Sequence, residues 1–235
     1  MPDFLDALDY HPPRIPWLDI RYVDRDIIVI NKPSGILTAP GRGTEKQDSI
    51  WTRVLERYPL SQVVHRLDQA TSGVLVLALR RKAEKALKKQ FMERSVTKRY
   101  VARVAGIVET ANGLIDLALA NDPDRPPRQK VSASDGKPSQ TEFKVLSRDE
   151  DTTLLELHPI TGRSHQLRVH LLAIGHPILG DQFYGSDANR NASMRLLLHA
   201  ESISFLHPYS GEPVTFVVPP ASDFFKPSSI NSDFL

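Results

Sequence analysis

The sequence predicts an α+β protein whose sheet is largely antiparallel. Segments with strand character outnumber segments with helical character, and they do not follow the regular strand–helix–strand alternation of parallel sheets. The 235 residues, 40% of them hydrophobic and 25% charged, suffice for one large domain or two closely joined ones with a substantial core. We expect an extended arm rich in proline and aspartate over residues 1–17, a main domain over 18–220 and a tail over 221–235.

The first predicted elements are two short strands and a helix. Residues 20–30 contain strand-forming side chains on both sides of a polar Asp24-Arg25-Asp26 turn, and a second turn follows at Lys32-Pro33-Ser34-Gly35. Residues 48–58 fit a helix that begins with Asp48 as its N-cap and ends before a proline.

The next elements surround a polar loop at Asp68. Residues 63–67 and 74–79 have the apolar character of strands on either side of this loop. Residues 81–94 then place apolar or small side chains at the spacing of an amphipathic helix, with lysines on the opposite face. A solvated helix surface explains any single lysine there better than contact with a polyanion does, although the group as a whole sets the local field.

The second half of the chain is predicted to consist mostly of strands. Residues 121–127 form a loop rich in proline and aspartate, and residues 164–174 form a helix that ends at Gly175. The predicted strands cover residues 96–104, 140–146, 152–158, 196–205 and 214–218.

Composition and motif content exclude several classes of protein. There is no cysteine, which rules out disulfides, thiolate zinc ligands and a cysteine nucleophile. The sequence has no Gly-x-Ser-x-Gly elbow, phosphate-binding loop or dinucleotide fingerprint, so hydrolase, NTPase and dehydrogenase activities have no support. The longest strongly apolar run, residues 73–79, is far too short to span a bilayer. Because the acidic start of the chain lacks the pattern of a secretory signal, we expect a cytoplasmic protein without a membrane partner.

Charge is distributed unevenly along the chain. The net charge is only +2, yet residues 80–103 carry ten lysines and arginines against two glutamates. Residues 1–30 carry six aspartates against three arginines. This asymmetry indicates a molecule with one face able to meet phosphate groups.

The most informative stretch is His65-Arg66-Leu67-Asp68-Gln69-Ala70-Thr71-Ser72-Gly73. In an extended backbone, side chains two residues apart point to the same side, so Arg66 and Asp68 are expected to face one cleft while Leu67 faces the core. A carboxylate at a strand end beside a basic group is suited to nucleophilic or general-base chemistry on a polyanion. For an Arg-x-Asp pattern by itself, an ordinary salt bridge at the strand edge is the better interpretation.

Two predicted strands elsewhere could contribute to the same site. The segment Lys98-Arg99-Tyr100-Val101-Ala102-Arg103 places one tyrosine among cations, and that tyrosine either packs on the core or stacks on a nucleobase. The segment Leu196-Leu197-Leu198-His199-Ala200 could supply an apolar floor, but its pattern alone favours an ordinary core strand. Neither pattern decides between these roles.

The segment from Pro159 to His170 combines a turn at Gly162 with the start of a helix, for which Thr161 or Ser164 is the candidate cap. An arginine on the first turns of that helix, Arg168, is suited to pair with a carboxylate across a cleft and to hold it ionised. The two histidines of this segment do not predict a metal site. Their spacing of five is poor for two ligands on one helical face, and no acidic third ligand is nearby in sequence.

Together these segments resemble the RluA-type family of pseudouridine synthases, over residues 18–220 in unbroken order. The resemblance is closest to short members with dual specificity for tRNA and 23S rRNA, which lack an N-terminal S4-like domain. The segments that carry it are Asn31-Lys32-Pro33-Ser34-Gly35, His65 to Gly73, Lys98-Arg99-Tyr100-Val101-Ala102, Thr161 to His170, Pro177-Ile178-Leu179-Gly180-Asp181 and Leu198-His199-Ala200.

The resemblance implies a fold, a partner and a set of site residues. The implied fold is a mixed, largely antiparallel sheet flanked by helices, with the active-site cleft across the sheet. The implied partner is RNA, bound by a monomer that needs neither cofactor nor metal. The family's catalytic aspartate falls on Asp68, its base-stacking tyrosine on Tyr100, and the arginine that pairs with the aspartate on Arg168. The residues implied to contact the substrate RNA are Arg66, which fills the gap left by the extruded nucleotide, Leu198, which lies under the uracil, and His65, Thr71, Lys98 and Arg163.

The implied reaction isomerises uridine to pseudouridine in a tRNA anticodon stem-loop and in a 23S rRNA hairpin. The C1′–N1 bond breaks, the uracil turns, and C5 joins C1′ after the nucleotide has been flipped out of its stack. Asp68 either attacks C1′ to give a covalent ester or removes the 2′ proton to give a glycal, and both routes stay open. The alternatives are the same chemistry on rRNA only, or an RNA-binding or folding factor with incidental catalysis.

Overall fold

The computed structural model describes residues 10–225, so the first nine residues of the predicted arm and the last ten of the predicted tail lie outside the described residues. The structure is of the predicted α+β class, with antiparallel strand pairing and few helices. The described chain divides into two compact units, each considered by itself below. Unit 1 contains residues 10–98 and 200–219, and unit 2 contains residues 99–199 and 220–225.

The elements are numbered in chain order. The strands are β1 (Ile20–Val23), β2 (Ile27–Lys32), β3 (Gln62–Val63), β4 (Ser72–Ala78), β5 (Thr97–Ala105), β6 (Asn112–Asp116), β7 (Leu119–Asn121), β8 (Gln129–Val131), β9 (Gln140–Arg148), β10 (Thr152–Pro159), β11 (Leu198–Leu206) and β12 (Pro213–Val217). The α-helices are α1 (Ile50–Leu55), α2 (Arg81–Met92), α3 (Gln166–Ala173) and α4 (Asp187–Asn191).

The sheet of unit 1 has the order β1-β2-β4-β11, with β3 added to β4 and β12 added to β11. Every residue of β4 is buried, as is the aliphatic run of β2, which matches the continuous apolar run that predicted a strand there. The antiparallel register of β2 and β4 runs from Ile27 opposite Ala78 to Lys32 opposite Gly73. It therefore places Lys32 next to the residue that ends the Asp68 segment.

The predicted N-cap of α1 is wrong by one residue. Ser49 is the cap: its hydroxyl accepts a hydrogen bond from the Thr52 N–H at 3.2 Å, while the Thr52 hydroxyl accepts one from the Ser49 N–H at 2.8 Å. This is a capping box in which threonine takes the place of the usual glutamate. Asp48 instead accepts two hydrogen bonds of 2.8 Å from the buried guanidinium of Arg53.

The described part of the predicted arm, residues 10–17, packs against α1 and the residues before it. The Tyr10 hydroxyl donates to the carbonyl of Asp48 at 2.7 Å. The Trp17 carbonyl accepts from Arg53 at 3.0 Å, and the guanidinium carbon of Arg53 lies 4.0 Å from the centroid of the Trp17 ring. These contacts fix the described arm to unit 1 without a helix or strand in residues 10–17.

The main sheet of unit 2 has the order β5-β10-β9-β6, and β7 and β8 form a separate two-stranded hairpin. The long strands β5, β9 and β10 were predicted, whereas β6, β7, β8 and α4 were not. The missed elements have three to five residues and mixed polarity, so they carry little periodic signal. The predicted loop over residues 121–127 connects β7 to β8.

The start of α3 differs from the prediction, since neither Thr161 nor Ser164 caps it. His165 occupies the N-cap position in a left-handed conformation, with φ of 54°, and its side chain makes no capping hydrogen bond. The side chain of Gln166 instead fixes the turn before the helix, because its Oε1 accepts from the Arg163 N–H at 3.0 Å and from the Thr161 hydroxyl at 2.7 Å.

The predicted tail begins with residues that are packed into unit 2. Phe224 is fully buried, and its carbonyl accepts a hydrogen bond from Arg103 at 2.8 Å. Asp223 forms an ion pair with Arg195, with a nitrogen–oxygen distance of 2.7 Å. Among the residues described, no helix has the length and apolar character needed to cross a membrane.

Candidate active site

Asp68 stands in a loop of unit 1 between β3 and β4 that backbone hydrogen bonds hold in place. The Leu67 N–H donates to the Thr38 hydroxyl at 3.1 Å, and the same hydroxyl donates to the Leu67 carbonyl at 2.9 Å. The Thr71 N–H donates to the carbonyl of Asp68 at 3.1 Å and closes the turn. The half-buried carboxylate of Asp68 therefore stands on a backbone that is fixed on both sides.

Gly73, the second residue of β4, follows this loop at a point where no other residue fits. Its φ is 116°, which L residues rarely adopt, and a Cβ atom on it would lie 2.2 Å from the carbonyl oxygen of Ala200 in the same unit. The motif therefore requires glycine at this position, because two backbone segments approach each other closely after the Asp68 turn.

Lys32 is a charged group near Asp68 that received no role from the sequence pattern. Its side chain is fully buried, and its Nζ donates to the carbonyls of Pro33, Ile36 and Gln69 at 3.0, 2.7 and 3.0 Å. Burial lowers the pKa of Lys32 to about 7, and the negative charge of Asp68 opposes that shift. The available sequence signal was a lysine that directly follows a strand of aliphatic residues.

His65 has a structural position in unit 1. Its Nε2 accepts a hydrogen bond from the Val76 N–H at 3.0 Å, and its ring stacks on Phe91 with 4.9 Å between the centroids. Burial, and then the nearby charge of Lys98, lower the pKa of His65 to about 3. The imidazole is therefore neutral at physiological pH, and its contact with RNA stays a prediction.

The other residues of unit 1 that were predicted to contact RNA differ in exposure. Arg66 is exposed, so its side chain is available to a partner. Thr71 is buried within the turn of the Asp68 loop. Lys98 is half-buried, and burial lowers its pKa. The arrangement favours Arg66 as an RNA contact, and it gives Thr71 a role in the shape of the loop.

In unit 2, Arg168 is held in one orientation by a buried ion pair. Only 4% of Arg168 is exposed, and its Nε and Nη2 donate to the two carboxylate oxygens of Asp181 at 2.7 and 2.6 Å. Its guanidinium carbon also lies 5.0 Å from the ring centroids of both Phe183 and Tyr184. A paired, bidentate geometry is what a buried arginine requires.

Asp181 is a residue of this site that sequence reasoning missed. One of its carboxylate oxygens accepts from the backbone N–H groups of Phe183 and Tyr184, at 2.9 and 3.2 Å, in addition to Arg168. Asp181 ends the Pro-Ile-Leu-Gly-Asp string that contributed to the resemblance but received no role. A conspicuous acidic residue in that string was the signal that could have identified it.

The left-handed backbone of His165 marks a second constrained point near Arg168. A non-glycine residue at positive φ is uncommon and often accompanies a functional site. The His165 Nδ1 lies 2.7 Å from the Tyr184 hydroxyl, which also accepts the N–H of Gln129 at 2.9 Å. Tyr184 thus connects the start of α3 to strand β8 within unit 2.

The remaining predicted residues of unit 2 lie on different elements. Tyr100 is half-buried in β5, opposite Leu157 of β10. Leu198 begins β11 and is buried, and Arg163 is exposed in the turn before α3. The predicted pairing of Arg168 with Asp68 and the stacking of Tyr100 on the target base stay predictions.

Potential metal ligands do not cluster in residues 10–225: no group of three histidine, aspartate or glutamate side chains is placed to hold a metal ion. His170, one of the two histidines considered from the sequence, is buried and bonded within unit 2. Its Nδ1 lies 3.0 Å from the Thr141 hydroxyl, and its Nε2 lies 3.0 Å from the Leu117 carbonyl.

Comparisons with known sequences point to one enzyme family. Residues 26–173 match the family model described as RNA pseudouridylate synthase. The Dual-specificity RNA pseudouridine synthase RluA of Escherichia coli K12 is 54% identical over 212 residues, which cover 90% of this chain and 97% of the relative. The protein of the same name from Vibrio parahaemolyticus is 54% identical over 208 residues, covering 86% of this chain and 83% of the relative.

Solved structures show the same fold. Human RNA Pseudouridylate Synthase Domain Containing 1 superposes with a TM-score of 0.75 and 31% identity, covering 89% of this chain and 86% of the human chain. Human RNA Pseudouridylate Synthase Domain Containing 4 superposes with a TM-score of 0.69 and 25% identity, covering 88% of this chain and 90% of the human chain.

Proposed function

Because the chain belongs to the RNA pseudouridylate synthase family, we propose that it isomerises uridine in both a tRNA anticodon stem-loop and a 23S rRNA hairpin. The observation that carries this choice of targets is the identity of 54% to relatives named as dual-specificity enzymes, over almost their full length. The exposed cations of the chain, among them Arg66 and Arg163, suit a partner with a phosphate backbone. The protein acts in this proposal as a cytoplasmic monomer with RNA as its partner.

In the proposed mechanism, Asp68 acts as an anion on the ribose of a flipped uridine. In one route its carboxylate attacks C1′ and forms an ester as the C1′–N1 bond breaks and its electron pair stays on the uracil. In the other, it removes the 2′ proton and the sugar becomes a glycal as the uracil leaves. In both routes the uracil turns and C5 bonds to C1′. This bond displaces the Asp68 carboxylate from C1′ in the first route, and in the second route Asp68 returns its proton to C2′ as the bond forms. The C5 proton is then lost to a base and N1 gains a proton, so that atoms are conserved. The rigid backbone around Asp68 and the adjacent cation of Lys32 support a role that needs a fixed, charged carboxylate.

The other residues have proposed roles in binding and orientation. Tyr100 stacks beneath the detached uracil and takes the C5 proton, Leu198 gives an apolar contact under the ring, and Arg168 pairs with Asp68 and keeps it ionised. Arg66 fills the gap that the extruded nucleotide leaves in the RNA stack, which offsets part of the free energy of flipping. The exposure of Arg66 and the fixed orientation of Arg168 by Asp181 support these roles.

An assay with two RNA substrates and one variant tests this proposal. Purified wild-type protein and Asp68→Asn are incubated with a tRNA anticodon stem-loop and with the 23S rRNA hairpin, and pseudouridine and RNA affinity are measured. We expect wild-type protein to modify both RNAs. Asp68→Asn should bind both with similar affinity and yield no product, since the amide is neither a nucleophile nor a base.

The alternatives give different results in the same assay. Product from the rRNA hairpin alone would restrict the substrate to rRNA. Full product from Asp68→Asn would contradict the assignment of Asp68. An RNA-binding or folding factor with incidental catalysis predicts that Asp68→Ala rescues the phenotype of a strain that lacks the gene.

A further inference from the structure

Residues 222–225, which we name the C-terminal turn, are packed into unit 2. They form a short 3₁₀ helix, Ser222–Phe224, followed by Phe225. Phe224 is fully buried, whereas 56% of Phe225 is exposed. A buried phenylalanine removes roughly 150–250 Å² of surface from water. The C-terminal turn is therefore part of the core of this unit.

The ring of Phe224 contacts two residues that flank a buried leucine run, residues 196–198. The guanidinium carbon of Arg195 lies 5.0 Å from the centroid of the ring, and the same guanidinium donates to Asp223 at 2.7 and 2.9 Å. The His199 ring meets the Phe224 ring at 70°, with 6.0 Å between the centroids. This is the edge-to-face arrangement that aromatic pairs prefer.

The backbone of the C-terminal turn is bound by Arg103, which is 1% exposed. Its Nε donates to the carbonyl of Phe224 at 2.8 Å. Its Nη1 donates to the Thr152 hydroxyl at 3.1 Å and forms an ion pair with Asp149. The backbone N–H of Arg103 donates to the carbonyl of Leu197 at 3.1 Å. Arg103 thus connects the C-terminal turn to β5 and to the backbone next to β11.

The C-terminal turn lies behind the two side chains proposed to contact the uracil. Tyr100 and Arg103 are three residues apart in β5, whose register with β10 is continuous, so their side chains point to opposite faces. Leu198 and His199 are consecutive residues of β11, so their side chains also point to opposite faces. Because Arg103 and His199 contact the turn, Tyr100 and Leu198 point away from it.

We propose that Phe224 is a positioning residue for the reaction: by filling the space behind β5, it fixes the face on which Tyr100 and Leu198 receive the flipped uracil. The inference rests on the proposed function, in which these two side chains contact the base. Phe224 does not touch the RNA, and it acts through Arg103 and His199. Misplacing a reacting group by about 1 Å costs on the order of 100-fold in rate.

This role predicts an effect that depends on the presence of the uracil. Protein interiors are close-packed, so the strands around a cavity at Phe224 shift or lose contacts, and the side chains on their other face move with them. Contacts to the phosphate backbone from exposed cations such as Arg163 are unchanged. A merely structural role for Phe224 would instead weaken the binding of every RNA alike.

The test compares Phe224→Ala and Phe224→Leu with the matched control Phe225→Ala, which removes the exposed ring next in sequence. Single-turnover rates are measured on the tRNA anticodon stem-loop. Affinities are measured in an Asp68→Asn background, which prevents turnover, for this stem-loop and for one with an abasic nucleotide at the position that the wild-type protein modifies. Thermal unfolding of each protein shows whether it is folded at the assay temperature.

We expect Phe224→Ala to lower the single-turnover rate by about 30-fold. Its affinity for the uridine stem-loop should fall by about tenfold, while its affinity for the abasic stem-loop stays within about twofold. Phe224→Leu fills part of the space and should lower the rate by about fivefold, and it decides the matter if Phe224→Ala does not fold. Phe225→Ala should stay within about twofold of wild type throughout.

Two results would overturn the inference. One is a rate for folded Phe224→Ala, or for Phe224→Leu if the alanine variant does not fold, within about twofold of the Phe225→Ala control. The other is an equal loss of affinity for the uridine and abasic stem-loops, which would assign Phe224 to general stability. Absence of product with the wild-type protein would contradict the proposed function instead, so the two failures are distinguishable.

Discussion

Arg168 and Asp181 carry two buried charges that satisfy each other. The side chains are 4% and 1% exposed, and two hydrogen bonds of 2.6 and 2.7 Å join them. Breaking one side of such a pair leaves an uncompensated charge away from water, which typically costs about 3–5 kcal/mol. If Arg168 acts in catalysis as proposed, the carboxylate that orients it is expected to matter for the reaction as well.

Asp181→Asn should lower the rate of pseudouridine formation by about tenfold or more and the free energy of unfolding by about 3 kcal/mol. The amide keeps the shape of the carboxylate but removes its charge, so the guanidinium of Arg168 loses its fixed orientation. Asp187→Asn is the control, because Asp187 is 82% exposed and pairs with Arg190 at the surface. The prediction fails if both variants retain wild-type rates in a single-turnover assay.

The neutral imidazole of His65 predicts a loss of stability in mild acid. Its pKa is about 3 in the folded protein and near 6.5 in the unfolded chain, so between these values the unfolded state binds more protons. The contribution of His65 to the free energy of unfolding is therefore complete above pH 6.5, and it is lost as the pH falls towards 3. Between pH 7 and pH 5 it amounts to up to about 2 kcal/mol.

Chemical denaturation of wild type and His65→Gln at pH 7 and pH 5 measures this contribution. The fall in the free energy of unfolding between the two pH values should be smaller in His65→Gln, because glutamine offers an acceptor for the Val76 N–H and does not titrate. Carboxylates titrate alike in both proteins. An equal fall in the two proteins would show that His65 is protonated in the folded state.

At the scale of elements, the strand ends of β2 and β4 and the turn after β2 hold the Asp68 loop in place. The register sets Lys32 opposite Gly73, so the turn after β2 and the loop before β4 meet at one end of the pair. Gly73 then allows the backbone of Ala200 in unit 1 to come close. The shape of the Asp68 loop thus depends on backbone segments that are far apart in sequence.

Gly73→Ala should destabilise the protein by roughly 2 kcal/mol or more, because a Cβ atom would clash with the Ala200 carbonyl at an unfavourable φ. Gly175→Ala is the matched control: Gly175 also has a positive φ, 87°, but its Cβ would meet nothing within 4 Å. We expect the control to lose only about 1 kcal/mol. Equal losses in the unfolding free energies would show that φ alone, without the close approach, explains the glycine.

Elements with a clear apolar pattern could be predicted from the sequence, whereas the short elements of mixed polarity, β6, β7, β8 and α4, could not. The aliphatic run of residues 74–79 predicted β4, and the amphipathic spacing of residues 81–94 predicted α2, although α2 ends at Met92 and not at residue 94. The start of α3 was predicted wrongly because His165 adopts a left-handed backbone and no side chain caps the helix, while the Gln166 side chain folds back to the Arg163 N–H. Such geometry depends on tertiary neighbours, which propensity does not report.

The candidate site was predicted unevenly for a similar reason. Motif resemblance indicated Asp68, Tyr100 and Arg168, whose types follow from the chemistry they are expected to perform. The residues that support them, Lys32 and Asp181, received no role because their importance lies in contacts at long sequence separation. Lys32 bonds a carbonyl 37 residues away, and Asp181 pairs with a residue 13 positions before it.

For the whole molecule, family membership and the fold are established, and the RNA targets are the central claim. Both the family match and the relatives of 54% identity extend over the segments that contain Asp68, Tyr100 and Arg168. A protein of this family changes the RNA of the cell at defined uridines. Its targets can therefore be found without prior choice of substrate.

The most direct test is a pseudouridine map of total tRNA and rRNA from a strain that lacks the gene, complemented with wild type or with Asp68→Asn. The account predicts that deletion removes pseudouridine from a tRNA anticodon-loop position and from one 23S rRNA position. Wild type should restore both, and Asp68→Asn should restore neither. An unchanged map after deletion, or full restoration by Asp68→Asn, would contradict it.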